Sequence, residues 1–129
     1  MSAGELLAAA GRVAANAHAP HSGIRVGAVV ECADGSTFPG VNVESASYGL
    51  TLCAERSALA RAVTDGAERP VRVAVARADG VPILPCGACR QVLWEAGPGM
   101  IVVHAGPDGP RERPLRELLP DPFLLQEDA

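Results

Sequence analysis

Long hydrophobic runs are missing from this chain: no uninterrupted apolar segment approaches the roughly 18 residues that a membrane-spanning helix requires. The opening segment, MSAGELLAAAGRVAANA, lacks both the basic leader and the unbroken apolar block of a secretory signal, so the sequence predicts a cytoplasmic protein with no membrane partner. An excess of positive charge is absent too. Eleven basic residues against fifteen acidic ones leave a formal charge of −4. Without a broad positive field to attract a phosphate backbone, nucleic acid is not expected as a partner. Cysteine is scarce, with four residues at positions 32, 53, 86 and 89. In a reducing compartment these read as metal ligands, catalytic groups or buried packing rather than as disulfides.

What is present suits one compact, turn-rich domain. The 129 residues are 48% hydrophobic and 20% charged, with 14 glycines and 11 prolines, enough for one real core and short of two. The domain is read as spanning 1–129, with a tail from about residue 120.

Ser2 and Glu5 have capping-box spacing, and Leu6, Leu7, Ala10, Val13, Ala14 and Ala17 keep one helical face apolar, which predicts a helix over 3–17. APHSG breaks it. VGAVVEC reads as a strand running into the turn dipeptide Asp34-Gly35, and STFPGVNVE as its hairpin partner, with Pro39 marking that second strand as irregular or at an edge. CAERSALARAV carries an apolar helical stripe that includes Ala54 and Ala58. VRVAVA alternates as a strand, CGACRQVLWEAG is a short helix ended by Gly97, MIVV is a buried strand and LRELL a last helix. Helices and strands alternate after the hairpin, so the fold class is α/β, with helices on both faces of a mixed sheet.

Both cysteine clusters fall where a helix is predicted to begin. Helix N-termini present free N–H groups and partial positive charge, which stabilise thiolates. Cys32, alone before the turn, reads as a small buried hydrophobe. His18 and His21 straddle Pro20 in a loop, and His104 has no companion, so none is favoured as a ligand. Taken alone, Cys86-x-x-Cys89 is compatible with a redox couple, half of a closed structural zinc site or part of a catalytic one. Cys53, 33 residues earlier and followed by Glu55, changes the balance. One ligand, a spacer, a glutamate and then P-C-x-x-C is the pattern of zinc deaminases, in which the glutamate carries protons and three cysteines can serve as ligands. The missing fourth ligand leaves a position for water.

These residues resemble the small homotetrameric zinc-dependent cytidine deaminases, over about residues 16 to 123. TLCAERSAL and PCGACRQVL carry the resemblance most specifically; NVESASYG and APHSGIRVGA support it. The resemblance implies a three-layer α/β/α domain with a mixed, about five-stranded sheet. It implies one Zn²⁺ per subunit on Cys53, Cys86 and Cys89, and Glu55 as the catalytic proton shuttle. Arg56 and Gln91 would contact the thiolates. Asn42 and Glu44 would bind the ribose, although the residues by themselves leave open whether that strand end is a binding edge or a turn. Ala54 and Ile24 are carried over as further substrate contacts. Ala46, Tyr48 and Phe123 would reach a neighbouring subunit's site, so the resemblance implies a homotetramer with shared sites.

The activity implied is hydrolytic deamination of cytidine and deoxycytidine to uridine and deoxyuridine plus ammonia, in pyrimidine salvage. Departures from the pattern lie on the substrate side. Ile24 and His21 replace an aromatic and a tyrosine, and Ser45 replaces an asparagine. They keep open the same chemistry on a modified cytosine nucleoside or nucleoside antibiotic. A rival of another class is a non-catalytic, zinc-stabilised binding domain.

Overall fold

The Glu5 backbone N–H donates to the Ser2 hydroxyl at 3.1 Å and the Ser2 N–H donates to the Glu5 carboxylate at 3.0 Å, the reciprocal cap that the sequence predicts. In the computed structural model, which describes residues 1–125, this cap starts helix α1 (Ala3–Val13). The helix is shorter than expected. Ala14–Asn16 tighten into a 3-10 turn, because His18 is claimed by a backbone bridge to Val43 and the chain must already be extended to reach it.

Strands β1 (Val26–Cys32) and β2 (Thr37–Val41) form the antiparallel hairpin. At its turn the Asp34 carboxylate accepts the Ser36 N–H at 3.0 Å, and Gly35 takes φ +88°, a conformation other residues adopt only with strain. Pro39 lies in β2, and β2 is an edge of the sheet, where a missing donor is tolerated. The strand stops at Val41 rather than continuing to Glu44. Val43 instead exchanges two 2.9 Å hydrogen bonds with Leu52, which folds residues 42–52 back as a loop.

Helix α2 (Ala54–Thr64) follows, then β3 (Pro70–Arg77), α3 (Gly87–Ala96), β4 (Ile101–Gly106), β5 (Gly109–Pro114) and the short α4 (Leu115–Leu118). The strand order is β2-β1-β3-β4-β5, with β3 and β4 parallel and every other pair antiparallel. β5 was not legible in the residues: GPRERP offers no apolar alternation, and four of its six residues are exposed along the other edge of the sheet. Prolines and charge are common on such edges, because they discourage pairing with another chain.

Alternate residues of the strands supply two cores. Val29, Ala74 and Val103 pack under Leu6 and Ala10 of α1. Val30, Val73, Val75 and Val102 face the other way, against Ala58 and Ala62 of α2, Leu93 of α3 and Leu115 of α4. This is the three-layer α/β/α arrangement. Cys32 is buried in the second core, as its isolation in the sequence suggests. Two glycines set how closely the helices approach. A Cβ on Gly27 would lie 2.0 Å from the Ala10 carbonyl oxygen, and one on Gly40 would lie 2.2 Å from the Ala58 nitrogen. Only a bare backbone lets α2 lie this low on the hairpin. None of the helices among the described residues is long and apolar enough to cross a membrane.

Candidate metal centre

Each of the three thiols stands at a helix start. Cys53 is the extended residue that caps α2, Cys86 caps α3, and Cys89 lies in the first turn of α3. The parallel β3–α3–β4 crossover places the start of α3 just beyond the C-terminal end of β3, the end of such sheets where ligands are usually found. Residues 33 positions apart in sequence thereby meet: Cys53 Sγ and Cys86 Sγ are 3.9 Å apart. All three sulfurs lie within 4.8 Å of one another, and among the described residues this is the one group of three or more His, Cys, Asp or Glu placed to hold a metal ion. Tetrahedral zinc with Zn–S bonds of about 2.3 Å needs sulfurs ~3.8 Å apart. The cluster therefore fits zinc.

Electrostatics favour the same conclusion. Hydrogen bonding with the Cys89 thiol, aided by Arg56 and Cys86, pulls the Cys53 thiol down to about 5 against the opposing effect of burial. That same pairing, reinforced by burial and by Glu55, pushes Cys89 up. Cys89 thus keeps its proton beside the Cys53 thiolate, and a bound cation would release it. Arg56 Nη2 stands 3.5 Å from Cys53 Sγ and donates to the Thr51 carbonyl at 3.2 Å, so the loop before α2 holds the guanidinium against the thiolate.

Glu55 follows Cys53 by two residues in the first turn of α2. It is only 4% exposed. Burial pushes its carboxyl up to about 7; its own backbone N–H opposes this, the Cys53 thiolate adds to it, and Arg56 draws it down. A carboxyl poised near neutrality can both take and give a proton. Ala54, between the two, has its side chain in the core, so only its backbone faces the helix start.

Of the residues read as substrate contacts, Glu44 and Tyr48 line one cavity, with His21, Ser22, Ser45 and Thr51. Because Val43 pairs antiparallel with Leu52, Asn42 lies opposite Cys53 and Glu44 opposite Thr51. Asn42 is buried, accepting the Val26 N–H at 2.8 Å and donating to the Ile24 carbonyl at 2.9 Å. Glu44 accepts the backbone N–H groups of His21 and Ser22, at 2.9 and 3.1 Å, and the Ser22 hydroxyl. A cavity of about 360 Å³ is lined by His21, Ser22, Glu44, Ser45, Tyr48 and Thr51. Ile24 is 39% exposed, Tyr48 81% and Phe123 69%, and Ala46 is exposed, so none of these four is core. Gln91 stands elsewhere than expected: its amide binds the backbone of Phe123 rather than a thiolate. Sequence reasoning passed over Ser22, Thr51 and Arg90. All three lie inside the singled-out segments APHSGIRVGA, TLCAERSAL and PCGACRQVL, but their roles depend on where their hydrogen bonds end.

A thiolate triad with one buried carboxyl beside it, on a three-layer α/β/α sheet, is the centre of a zinc deaminase. The chain belongs to the family described as the cytidine and deoxycytidylate deaminase zinc-binding region, whose model matches residues 2–105. A cytidine deaminase of Halalkalibacterium halodurans is 42% identical over 113 residues, 86% of each chain. One from Mycobacterium tuberculosis is 41% identical over 117 residues, 90% of this chain and 85% of that one. Among solved structures, the cytidine deaminase of Burkholderia pseudomallei superposes with a TM-score of 0.87 at 42% identity, covering 95% of this chain and 100% of the other. That of M. tuberculosis gives 0.85 at 40% identity, covering 94% and 96%.

Proposed function

We propose that this protein is a zinc-dependent hydrolase that deaminates cytidine and deoxycytidine to uridine and deoxyuridine, releasing ammonia, and that it serves pyrimidine salvage in the cytoplasm. Cys53, Cys86 and Cys89 would hold one Zn²⁺ per subunit. The observation that carries the reading is the buried Glu55 carboxyl, with a pKa of about 7, beside a thiolate triad that fits zinc.

Zinc held by Cys53, Cys86 and Cys89 would supply a Lewis acid that acidifies water, an effect that reaches a pKa of about 7 at catalytic zinc sites. Three thiolates leave the site net negative and weaken that effect. Arg56, against Cys53, and the starts of α2 and α3 oppose the excess charge. Glu55 takes the proton from the attacking water and delivers it to ring N3 as the C4–O bond forms. It then takes the second proton, from the new C4 hydroxyl, and passes it to the exocyclic amine, whose bond to C4 breaks as the carbonyl of the uracil ring is made and ammonia leaves. Asn42 and Glu44 would orient the ribose. Asn42 retains one amide N–H for this, and Glu44 holds the 21–22 loop while keeping lone pairs free. Ile24 would pack on the base. Ala46, Tyr48 and Phe123, all exposed, would complete a neighbour's site in a homotetramer.

Ile24 also supports a second reading of the substrate. An aliphatic side chain forgoes the ~0.5–1.5 kcal/mol that an aromatic pair adds beyond buried area, so a modified cytosine nucleoside is a competing substrate for the same chemistry. A panel of cytosine nucleosides, followed by loss of aminopyrimidine absorbance with zinc measured in parallel, tests both. Cytidine and deoxycytidine turning over fastest supports the first reading; zinc-loaded protein that turns over none of them would overturn both.

A further inference from the structure

We infer that Arg90 is a positioning residue for the metal turn: its guanidinium ties Pro85 to the end of α4 and so sets where the Cys86 thiolate stands relative to Cys53. Two of the three thiols are already well fixed. Cys53 adjoins Leu52, whose backbone is paired with Val43, and Cys89 is buried in the first turn of α3. Cys86 is different. It is exposed, caps α3 without a side-chain hydrogen bond, and follows a stretch, residues 81–85, that has no regular structure.

Among the described residues, one hydrogen bond reaches residues 82–85: Arg90 Nε donates to the Pro85 carbonyl at 2.7 Å. Nη1 of the same guanidinium donates to the Leu118 carbonyl at 2.8 Å. That second anchor is rigid, since Leu115 and Leu118 of α4 are both buried in the core. The Leu118 carbonyl is one that the last turn of α4 leaves open, and the Pro85 carbonyl lies just before the start of α3. A planar guanidinium with donors in fixed directions spans them, which a flexible ammonium cannot reproduce. Arg90 immediately follows Cys89, so one residue links both cysteines of α3 to the core.

The inference rests on the zinc reading, and the test separates the two. Zinc affinity is measured by competition with a chromophoric chelator, and the cobalt-substituted protein gives the thiolate and d–d absorption bands. Wild type, Arg90→Lys and Arg90→Met are compared, with hydrogen exchange of amides 82–88 and of the β3 and β4 core followed in each. Both variants are expected to bind zinc about 10- to 100-fold more weakly, as when groups supporting a metal's ligands are removed. They should also shift the cobalt bands and exchange faster at 82–88, with the strand core still protected. If Arg90→Lys restores wild-type affinity and bands, Arg90 acts by charge alone and the positioning role is overturned. Unchanged affinity in both variants overturns it as well. Wild-type protein that binds no zinc would overturn the deaminase reading itself, before any variant is compared.

Discussion

The Gln91 side-chain amide is paired with both backbone polar groups of Phe123: Nε2 donates to the carbonyl and Oε1 accepts the N–H, each at 2.9 Å. The two residues are 32 positions apart, and the pairing anchors the C-terminal segment to the helix that carries Cys89. Phe123 is pinned by its backbone while its ring stays 69% exposed. A side chain that the family resemblance assigns to the thiolates here presents an aromatic outward.

Gln91→Leu is therefore expected to release the tail rather than the metal. Two neutral hydrogen bonds at about 1 kcal/mol each set the scale. Amide exchange at Phe123 should quicken by one to two orders of magnitude while zinc content is kept. Phe123→Ala should leave the amide pairing intact and raise KM for cytidine with little change in kcat, since the ring, and not the backbone, would complete a neighbouring site. A fall in kcat alone would count against shared sites.

Glu55→Gln keeps the shape of the buried side chain and removes its proton. Loss of general acid–base catalysis is expected to lower kcat by at least about 10²–10⁴-fold. The three thiolates, and with them the bound zinc, should remain. Ammonia release and metal content measured on the same sample decide it, and undiminished turnover would remove Glu55 from the mechanism.

Glu31 and Arg72 form a two-point ion pair between β1 and β3, with Nε–Oε1 at 2.8 Å and Nη2–Oε2 at 2.9 Å. The Arg72 guanidinium holds the Glu31 carboxyl below the usual carboxylate range, against the opposing effect of burial. A depressed folded pKa means that the stabilisation is complete above the unfolded pKa of about 4.3 and is lost as pH falls through the folded value. Near pH 7, Glu31→Gln should cost about 1.5–3 kcal/mol, as for charge-assisted hydrogen bonds. The gap between wild type and variant should narrow steadily below pH ~4. Urea unfolding across a pH series measures it, and a gap independent of pH would contradict the ion-pair account.

Gly40→Ala tests how the hairpin sets the height of α2. The new methyl would stand 2.2 Å from the Ala58 nitrogen and 2.8 Å from the Ala54 carbonyl oxygen, so the helix that carries Glu55 must lift. A loss of about 1–3 kcal/mol is expected from overpacking. Because Cys53 moves with the start of α2, zinc should also bind more weakly, which chelator competition would register. Destabilisation with unaltered zinc affinity would mean that α2 adjusts without moving the metal centre.

Much of the metal chemistry was legible in the sequence because it is local. A glutamate two residues after a cysteine, and two cysteines three apart at a helix start, fix their relations within one turn of helix wherever that helix lies. The elements around them were legible for a similar reason. The alternation of VGAVVEC and VRVAVA, the stripe in CAERSALARAV and the Asp34-Gly35 turn are short-range patterns. β5 escaped because its strand character comes from pairing with β4 and leaves no mark in the polarity of GPRERP.

What only the tertiary structure decided concerns side chains whose partners are far away in sequence. Asn42 and Glu44 could have been a turn until the Val43–Leu52 bridge set them opposite Cys53 and Thr51. Gln91 reaches Phe123 and Arg90 reaches Leu118 because α3 packs against the C-terminal segment, which no spacing within PCGACRQ encodes. The sequence by itself determined the candidate ligands and the carboxyl set beside Cys53, since short segments of helix and turn dictate their mutual geometry. The tertiary fold decided that Cys53 and Cys86 come within 3.9 Å, and which residues hold them there. Its means are close packing of α2 on Gly40 and the parallel β3–β4 crossover that aims α3 at the same point.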